Sequence, residues 1–193
     1  MSVAHIGNAQ SLDLRILNSI NGPPSSSDAA WRDLSSSVSV LAVTAPVTVI
    51  VTGLAGHNKE LTWKGVQMAG ALVLNEGAAT VLKYTIKRQR PFEAYPNLIY
   101  GKAEGNDPSF PSGHTSVAFA TATSLSIAFP KWYVIVPSYT YATAVGYSRL
   151  HLGVHYPSDV FAGALIGAGS SILASKLQKL LNKKHQASEL KSN

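Results

Sequence analysis

The stretch Ser148-Arg149-Leu150-His151-Leu152-Gly153-Val154-His155-Tyr156-Pro157-Ser158-Asp159 sets a cation, two imidazoles and a carboxylate within twelve residues. Only 13% of the chain is charged, so the placement of those charges matters. A histidine titrates near working pH, and one held in a fixed tautomer by a neighbouring carboxylate can serve as nucleophile or general base. Arg149 offers the planar fork that suits a phosphate. Pro157 sits where the first turn of a helix tolerates proline. The stretch therefore reads as a helix end at Ser148, a loop holding Arg149 and His151, and a helix start.

Working outward, the chain reads as helices throughout. Trp132 to Ser148 forms one, after a Pro130-Lys131 turn, and Pro111-Ser112 opens another that ends near Phe129. The segment after Pro157 continues to about Leu181, with Ala162, Gly163, Ala164, Gly167, Ala168 and Gly169 small enough for close packing. Upstream, 34–57 carries no formal charge and is just long enough to cross a bilayer, with a kink expected at Pro46. A helix from Glu60 to just before Pro91 follows. On it Glu76, Lys83 and Arg90 recur every seven residues and so share a face, Glu76 being a candidate partner for a buried cation. Leu12, Ile16, Leu17 and Ile20 predict a short amphipathic helix, packed on the core or lying at a membrane interface. Residues 91–110 are a polar loop long enough to be functional.

These elements predict an all-α fold: an antiparallel bundle of about five long helices plus the N-terminal amphipathic helix, with the active site at one end. The expected organisation is an N-terminal segment and linker over 1–33, a domain over 34–182 and a polar, fraying tail over 183–193. With short turns, the helix ends carrying Lys83, Arg90, Ser112, His114, Arg149 and His155 fall on one side of the bundle.

Composition narrows the function. Of 193 residues, 46% are apolar, and the charged share is about half the globular norm of about 25%, which suggests buried or lipid-facing helices. Mean hydropathy is only +0.10, low for a protein with many spans. The net charge of +6 favours an anionic partner, either a phosphorylated substrate or a membrane surface. No basic stripe interleaved with aromatics is present, so nucleic acid is not an expected partner. The absence of cysteine excludes disulfides and thiolate metal sites. No basic-then-apolar leader is visible at the N-terminus.

Three blocks in order complete a pattern. Lys83 and Arg90-Pro91 are separated by six residues, Pro111-Ser112-Gly113-His114 follows, and Ser148-Arg149, five residues, His155, three residues and Asp159 close it. This resembles the type 2 phosphatidic acid phosphatase superfamily, which also includes bacterial non-specific acid phosphatases and vanadium haloperoxidases. The region around His155 looks like the membrane-type lipid phosphatase branch. The resemblance implies a metal-independent phosphatase without a cofactor, hydrolysing a phosphate monoester or diphosphate of a lipid. It implies His155 as the nucleophile that forms a phosphohistidine, with Asp159 holding its other ring nitrogen, and His114 as general acid and then base. Lys83, Arg90 and Arg149 would share the charge of the phosphate oxygens, with the Ser112 hydroxyl and Gly113 amide donating from a helix N-terminus. His151 has no motif role, and His57 and His185 read as surface residues.

The lysines at 59, 64, 131, 176, 179, 183 and 184 gather at the opposite end. If the helices span a membrane, they place that end in the cytoplasm and the site on the outer, periplasmic face of an inner membrane. Lys87, Arg88 and Lys102 on the site side weaken this asymmetry. The alternatives left open are a soluble periplasmic acid phosphatase, a vanadate-dependent haloperoxidase and a non-catalytic phosphate-binding protein.

Overall fold

The structure is a computed structural model that describes the backbone of residues 3–192 and the side chains of residues 12–181. Its elements are α1 (Val3–Ile20), α2 (Asp28–Ala55), α3 (Lys59–Ile86), the single turn α4 (Pro91–Ala94), α5 (Gly113–Ala128), α6 (Trp132–His151) and α7 (Pro157–Ser192). No strand occurs among the described residues. The all-α bundle of five long helices with an N-terminal helix is as the sequence predicts.

Element ends follow local chemistry, and several differ from the sequence reading. Asn58 caps α3 by accepting the Leu61 amide at 3.0 Å. At its other end α3 stops at Ile86, where Lys87 turns left-handed (φ 51°) and returns its amide to the Lys83 carbonyl. Arg90 is therefore off the helix, in extended backbone, because the residue before a proline avoids the helical region. The shared face of Glu76, Lys83 and Arg90 is corrected accordingly. Glu76 is exposed and accepts from Thr80 at 3.4 Å. Its neighbour Asn75 takes the interior position, donating to Ser116 at 3.2 Å. A neutral amide costs far less to bury than a carboxylate.

α2 runs unbroken through Pro46. α6 runs three residues past its expected end, so Arg149 and His151 stand in its last turn and not in a loop. Nothing breaks the helix until Gly153 adopts φ +72°, a conformation other residues resist. α7 likewise continues through the expected tail to Ser192, since beyond Gly169 it holds neither Gly nor Pro and is rich in good helix formers.

α5 is the central helix, packed against α2, α3, α6 and α7. Its neighbours come close because residues are small. A Cβ added at Gly163 would lie 2.6 Å from the Ser112 carbonyl oxygen, and one at Gly167 would lie 2.1 Å from that of Ser116. The core between α2, α5 and α6 is built on Val38, Ala118, Ala122, Ala142 and Val145. Hydroxyls tie the helices where apolar volume is lacking: Ser124 donates to Ser171 at 3.0 Å, and Ser171 to the Ala120 carbonyl at 2.8 Å.

The outside is unusually apolar. Val40, Val43, Leu54, Val73, Val81, Phe161 and Leu165 are all exposed, on three different helices. α2 and Pro157–Leu181 of α7 are each long and apolar enough to cross a membrane.

At the site end, α1 lies across the bundle. Leu17 is fully buried against Ile99 and Tyr156, while Leu12 and Ile16 stay exposed. Asn21 fastens its end, donating to the carbonyls of Tyr100 and His151 and accepting the Tyr100 amide at 2.7 Å.

Candidate active site

The end of α3, the segment 88–90, the loop before α5, the first turn of α5, the last turn of α6 and the loop before α7 meet around a cavity of about 250 Å³. Lys83, Arg90, Gly113, His114, Arg149 and His155 line it, together with Glu104, Gly105, Asn106 and Asp107. Residues spread over more than seventy positions are thus brought to one pocket. Three of them are cations, and the pocket is small: it suits a phosphate group and its leaving oxygen, with any larger substituent outside.

His155 is almost completely buried. Its Nδ1 lies 2.8 Å from the Ser109 carbonyl oxygen, which can only accept, so Nδ1 carries the proton and Nε2 keeps its lone pair. Arg90 Nη1 lies 3.4 Å from that Nε2, which places the lone pair beside the cations. Burial, with Arg149 and Arg90 adding to it against the opposing pull of Asp159, pushes the imidazole down to about 4. The ring is therefore neutral at pH 7.

Asp159 stands 3.6 Å from Nδ1, a charge contact behind the ring; the hydrogen bond expected of it is made by Ser109. The carboxylate is fixed in turn by the Tyr156 amide at 2.9 Å and by Arg88 at 2.7 Å. Arg88 also donates to Ser158 at 2.7 Å and Asp13 at 2.9 Å, and lies over the Tyr156 ring. A buried carboxylate so neutralised holds the imidazole from behind without itself entering the cavity.

His114, in the first turn of α5, faces the same cavity. Burial, then Arg149, His155 and Arg90, lower it to about 4, with Asp107 opposing. Gly113 also lines the cavity, whereas Ser112 does not. The Ser112 side chain is fully buried, its hydroxyl pairs with Thr115 at 2.9 Å, and its amide donates to the Asp159 carbonyl at 3.0 Å. Ser112 therefore couples the start of α5 to the start of α7, with its hydroxyl turned to Thr115.

Arg149 donates from Nη1 to Ser35 of α2 at 2.6 Å, and its buried Nε has no partner among the described residues. Lys83 donates to the Pro108 carbonyl at 2.7 Å and pairs with Asp107 at 2.8 Å. Arg90 donates to the carbonyls of Val154 and Asp107, both at 2.9 Å, and pairs with the Asp107 carboxylate. Burial opposes the ionised form of Asp107, but Lys83 and Arg90 prevail and hold it at about 2.

Asp107, Ser109, Ser35 and Arg88 are the residues that sequence reasoning missed. Ser109 acts through its backbone, which leaves no signature. Asp107 was findable as an acid in the polar loop just before the Pro111-Ser112-Gly113-His114 block. His151, left without a role by the sequence, pairs with Asp28 at 2.7 Å, and Lys102 approaches the same carboxylate at 3.3 Å. His57 is exposed, and the side chain of His185 lies outside the described residues.

The chain is similar to several known proteins. The chain is 36% identical over 108 residues to the undecaprenyl-diphosphatase of Sulfolobus acidocaldarius, covering 56% of this chain and 50% of that protein. It is 33% identical over 119 residues to the lipid A 1-phosphatase of Rhizobium johnstonii, covering 60% and 48%. The chain thus spans about half the length of the curated relatives it matches. The crystal structure of Aquifex aeolicus LpxE superposes with a TM-score of 0.68 at 26% identity, over 84% of this chain and 92% of that one. The transmembrane PAP2 type phosphatidylglycerolphosphate phosphatase of Bacillus subtilis shares the fold, with a TM-score of 0.73 at 24% identity over 89% and 87%. A model of the PAP2 superfamily matches residues 64–183, well over half of the sequence, and the chain belongs to that superfamily.

Proposed function

We propose that this protein is a metal-independent phosphatase that hydrolyses a phosphate monoester or diphosphate of a membrane lipid through a phosphohistidine at His155. The observation that carries the reading is the fixed tautomer of His155, whose unprotonated Nε2 lies beside the cations of a phosphate-sized cavity. Phosphoryl transfer asks for positioning and charge stabilisation more than for covalent work, and the pocket supplies both.

In the first step the Nε2 lone pair attacks phosphorus, and the bond to the leaving oxygen breaks with its electron pair on that oxygen. Protonated His114 gives it a proton. In the second step neutral His114 takes a proton from water as the water oxygen attacks phosphorus, and the P–N electrons return to Nε2. Lys83, Arg90, Arg149 and the Gly113 amide hold the oxygens throughout. Asp159, fixed by Arg88, stabilises the positive charge that the ring gains while phosphorylated. His114 is neutral at pH 7 by itself, and the negative charge of a bound phosphate raises its proton affinity to suit the acid role.

The lipid assignment rests on the exposed apolar side chains of α2, α3 and α7, on the two helices able to span a bilayer, and on relatives named as phosphatases of lipids. Those same surfaces disfavour the soluble acid phosphatase. Lys59, Lys64, Lys131, Lys176 and Lys179 at the far end favour a site facing away from the cytoplasm, with Lys87, Arg88 and Lys102 on the site side opposing them.

The test is release of inorganic phosphate, in detergent, from phosphatidic acid, phosphatidylglycerol phosphate, a polyprenyl diphosphate and a lipid A phosphate. The intact protein turns over at least one of them, and His155→Ala turns over none while keeping its helical circular dichroism. Turnover by that variant would remove His155 from the mechanism.

A further inference from the structure

The loop between α4 and α5 delivers an anion to the cations the reaction needs. Asp107 Oδ2 lies 2.8 Å from Lys83 Nζ, and Oδ1 accepts from Arg90 Nη2. Carbonyls of the same loop complete the hold: Asp107 accepts from Arg90 Nε at 2.9 Å and Pro108 from Lys83 at 2.7 Å. Gly105 lets the backbone lie flat on the guanidinium, since a Cβ there would sit 2.4 Å from Arg90 Nε. The two cations are enclosed, with 12% and 5% of their side chains exposed, while 45% of the Asp107 side chain faces solvent. The carboxylate therefore occupies the outer side of the pocket and can leave it.

We propose that Asp107 is a specificity-determining residue: an internal anion that an incoming phosphate must displace from Lys83 and Arg90, and that thereby admits dianionic monoesters and diphosphates but excludes monoanionic diesters. The proposal rests on the phosphatase reading of the site. A carboxylate presents two oxygens and one charge, as a diester does. Exchanging one for the other gains no net attraction, and it costs desolvation of the newcomer. A monoester dianion or a diphosphate brings at least one further charge toward Lys83, Arg90 and Arg149, so it displaces the carboxylate with a surplus.

The need for such a filter follows from the surroundings. Ordinary membrane phospholipids carry phosphodiesters, and at a bilayer surface they vastly outnumber any terminal monoester. A pocket with three uncompensated cations would be filled by them.

The experiment is calorimetric titration of the detergent-solubilised full chain at pH 8 with dimethyl phosphate, a monoanionic diester, and with inorganic phosphate, chiefly a dianion. Asp107→Asn keeps the shape and removes the charge, and Asp107→Ser is the second variant. The expected result is that dimethyl phosphate binds about tenfold more tightly to both variants than to the wild type, the scale of one charge-assisted pair. Inorganic phosphate, which displaces the same carboxylate, should gain by a comparable factor, so that dimethyl phosphate rises to an affinity the wild type denies it. Unchanged or weaker binding of dimethyl phosphate in both variants would overturn the proposal and make Asp107 an organiser of the cations. Release of phosphate by the wild type from the four lipid phosphates named above is measured alongside. If turnover is absent while the binding shift is present, the catalytic reading fails and the filter stands.

Discussion

His114 and His155 face one cavity under the same cations, yet the proposed reaction asks opposite protonation states of them. Both are held at about 4, which serves His155 directly and His114 only once phosphate is bound. Bound phosphate sets His114 above its resting value, so as pH falls from 7 toward 4 its protonated fraction rises first, and His155 gains its proton at the lower end of that interval. An alkyl phosphate, whose leaving oxygen needs a proton, should therefore gain on an aryl phosphate over that interval, and both should fail below about 4. The ratio of kcat/KM for the two esters cancels the titration of the phosphate itself, whose second ionisation lies near 6. His114→Ala should flatten the ratio, and a flat ratio in the wild type would remove His114 as the acid. The spacing of the motif revealed these histidines and the three cations, because side-chain chemistry at fixed intervals is visible in sequence. The carbonyl of Ser109 was not visible, and neither was the diversion of the Ser112 hydroxyl to Thr115, which depends on tertiary contacts.

At the scale of elements, the contact between α5 and α7 depends on glycine at two positions and not at a third. Gly167→Ala places a methyl carbon into the backbone of α5, 2.1 Å from one oxygen and 2.8 Å from the Ala120 nitrogen, whereas Gly169 has open space around it. Gly167→Ala should cost about 3 kcal/mol, the upper range for overpacking. Gly169→Ala should be neutral or slightly stabilising. Thermal unfolding in detergent distinguishes them, and equal midpoints would contradict the close approach. The small residues of α7 were legible as a packing surface, but which of them touch α5 was not, since that depends on helix rotation. Helix ends were the least legible feature. Arg90 left its helix because Pro91 forbids it, and Arg149 stayed on its helix because no breaker occurs before Gly153.

For the whole molecule, the outer surface decides where it resides. Exposed Val40, Val43, Val73 and Phe161 form an apolar exterior over a core built largely of Ala, Ser and Gly, an arrangement that suits lipid better than water. The protein should stay with the membrane fraction through high-salt washing and enter solution only with detergent; extraction into plain buffer would refute the lipid-facing reading. Low mean hydropathy concealed this in the sequence, because the polar loop and chain ends dilute the apolar helices. The strap that α1 lays across the catalytic end has a consequence for biosynthesis. Asp13 of α1 receives the Ser158 amide at 3.0 Å and the Arg88 guanidinium at 2.9 Å, joining α1 to a point 145 residues further along the chain. A chain leaving the ribosome therefore carries Lys83, Arg90 and His114 well before His155, and the proposed site can close only when that late knot is tied.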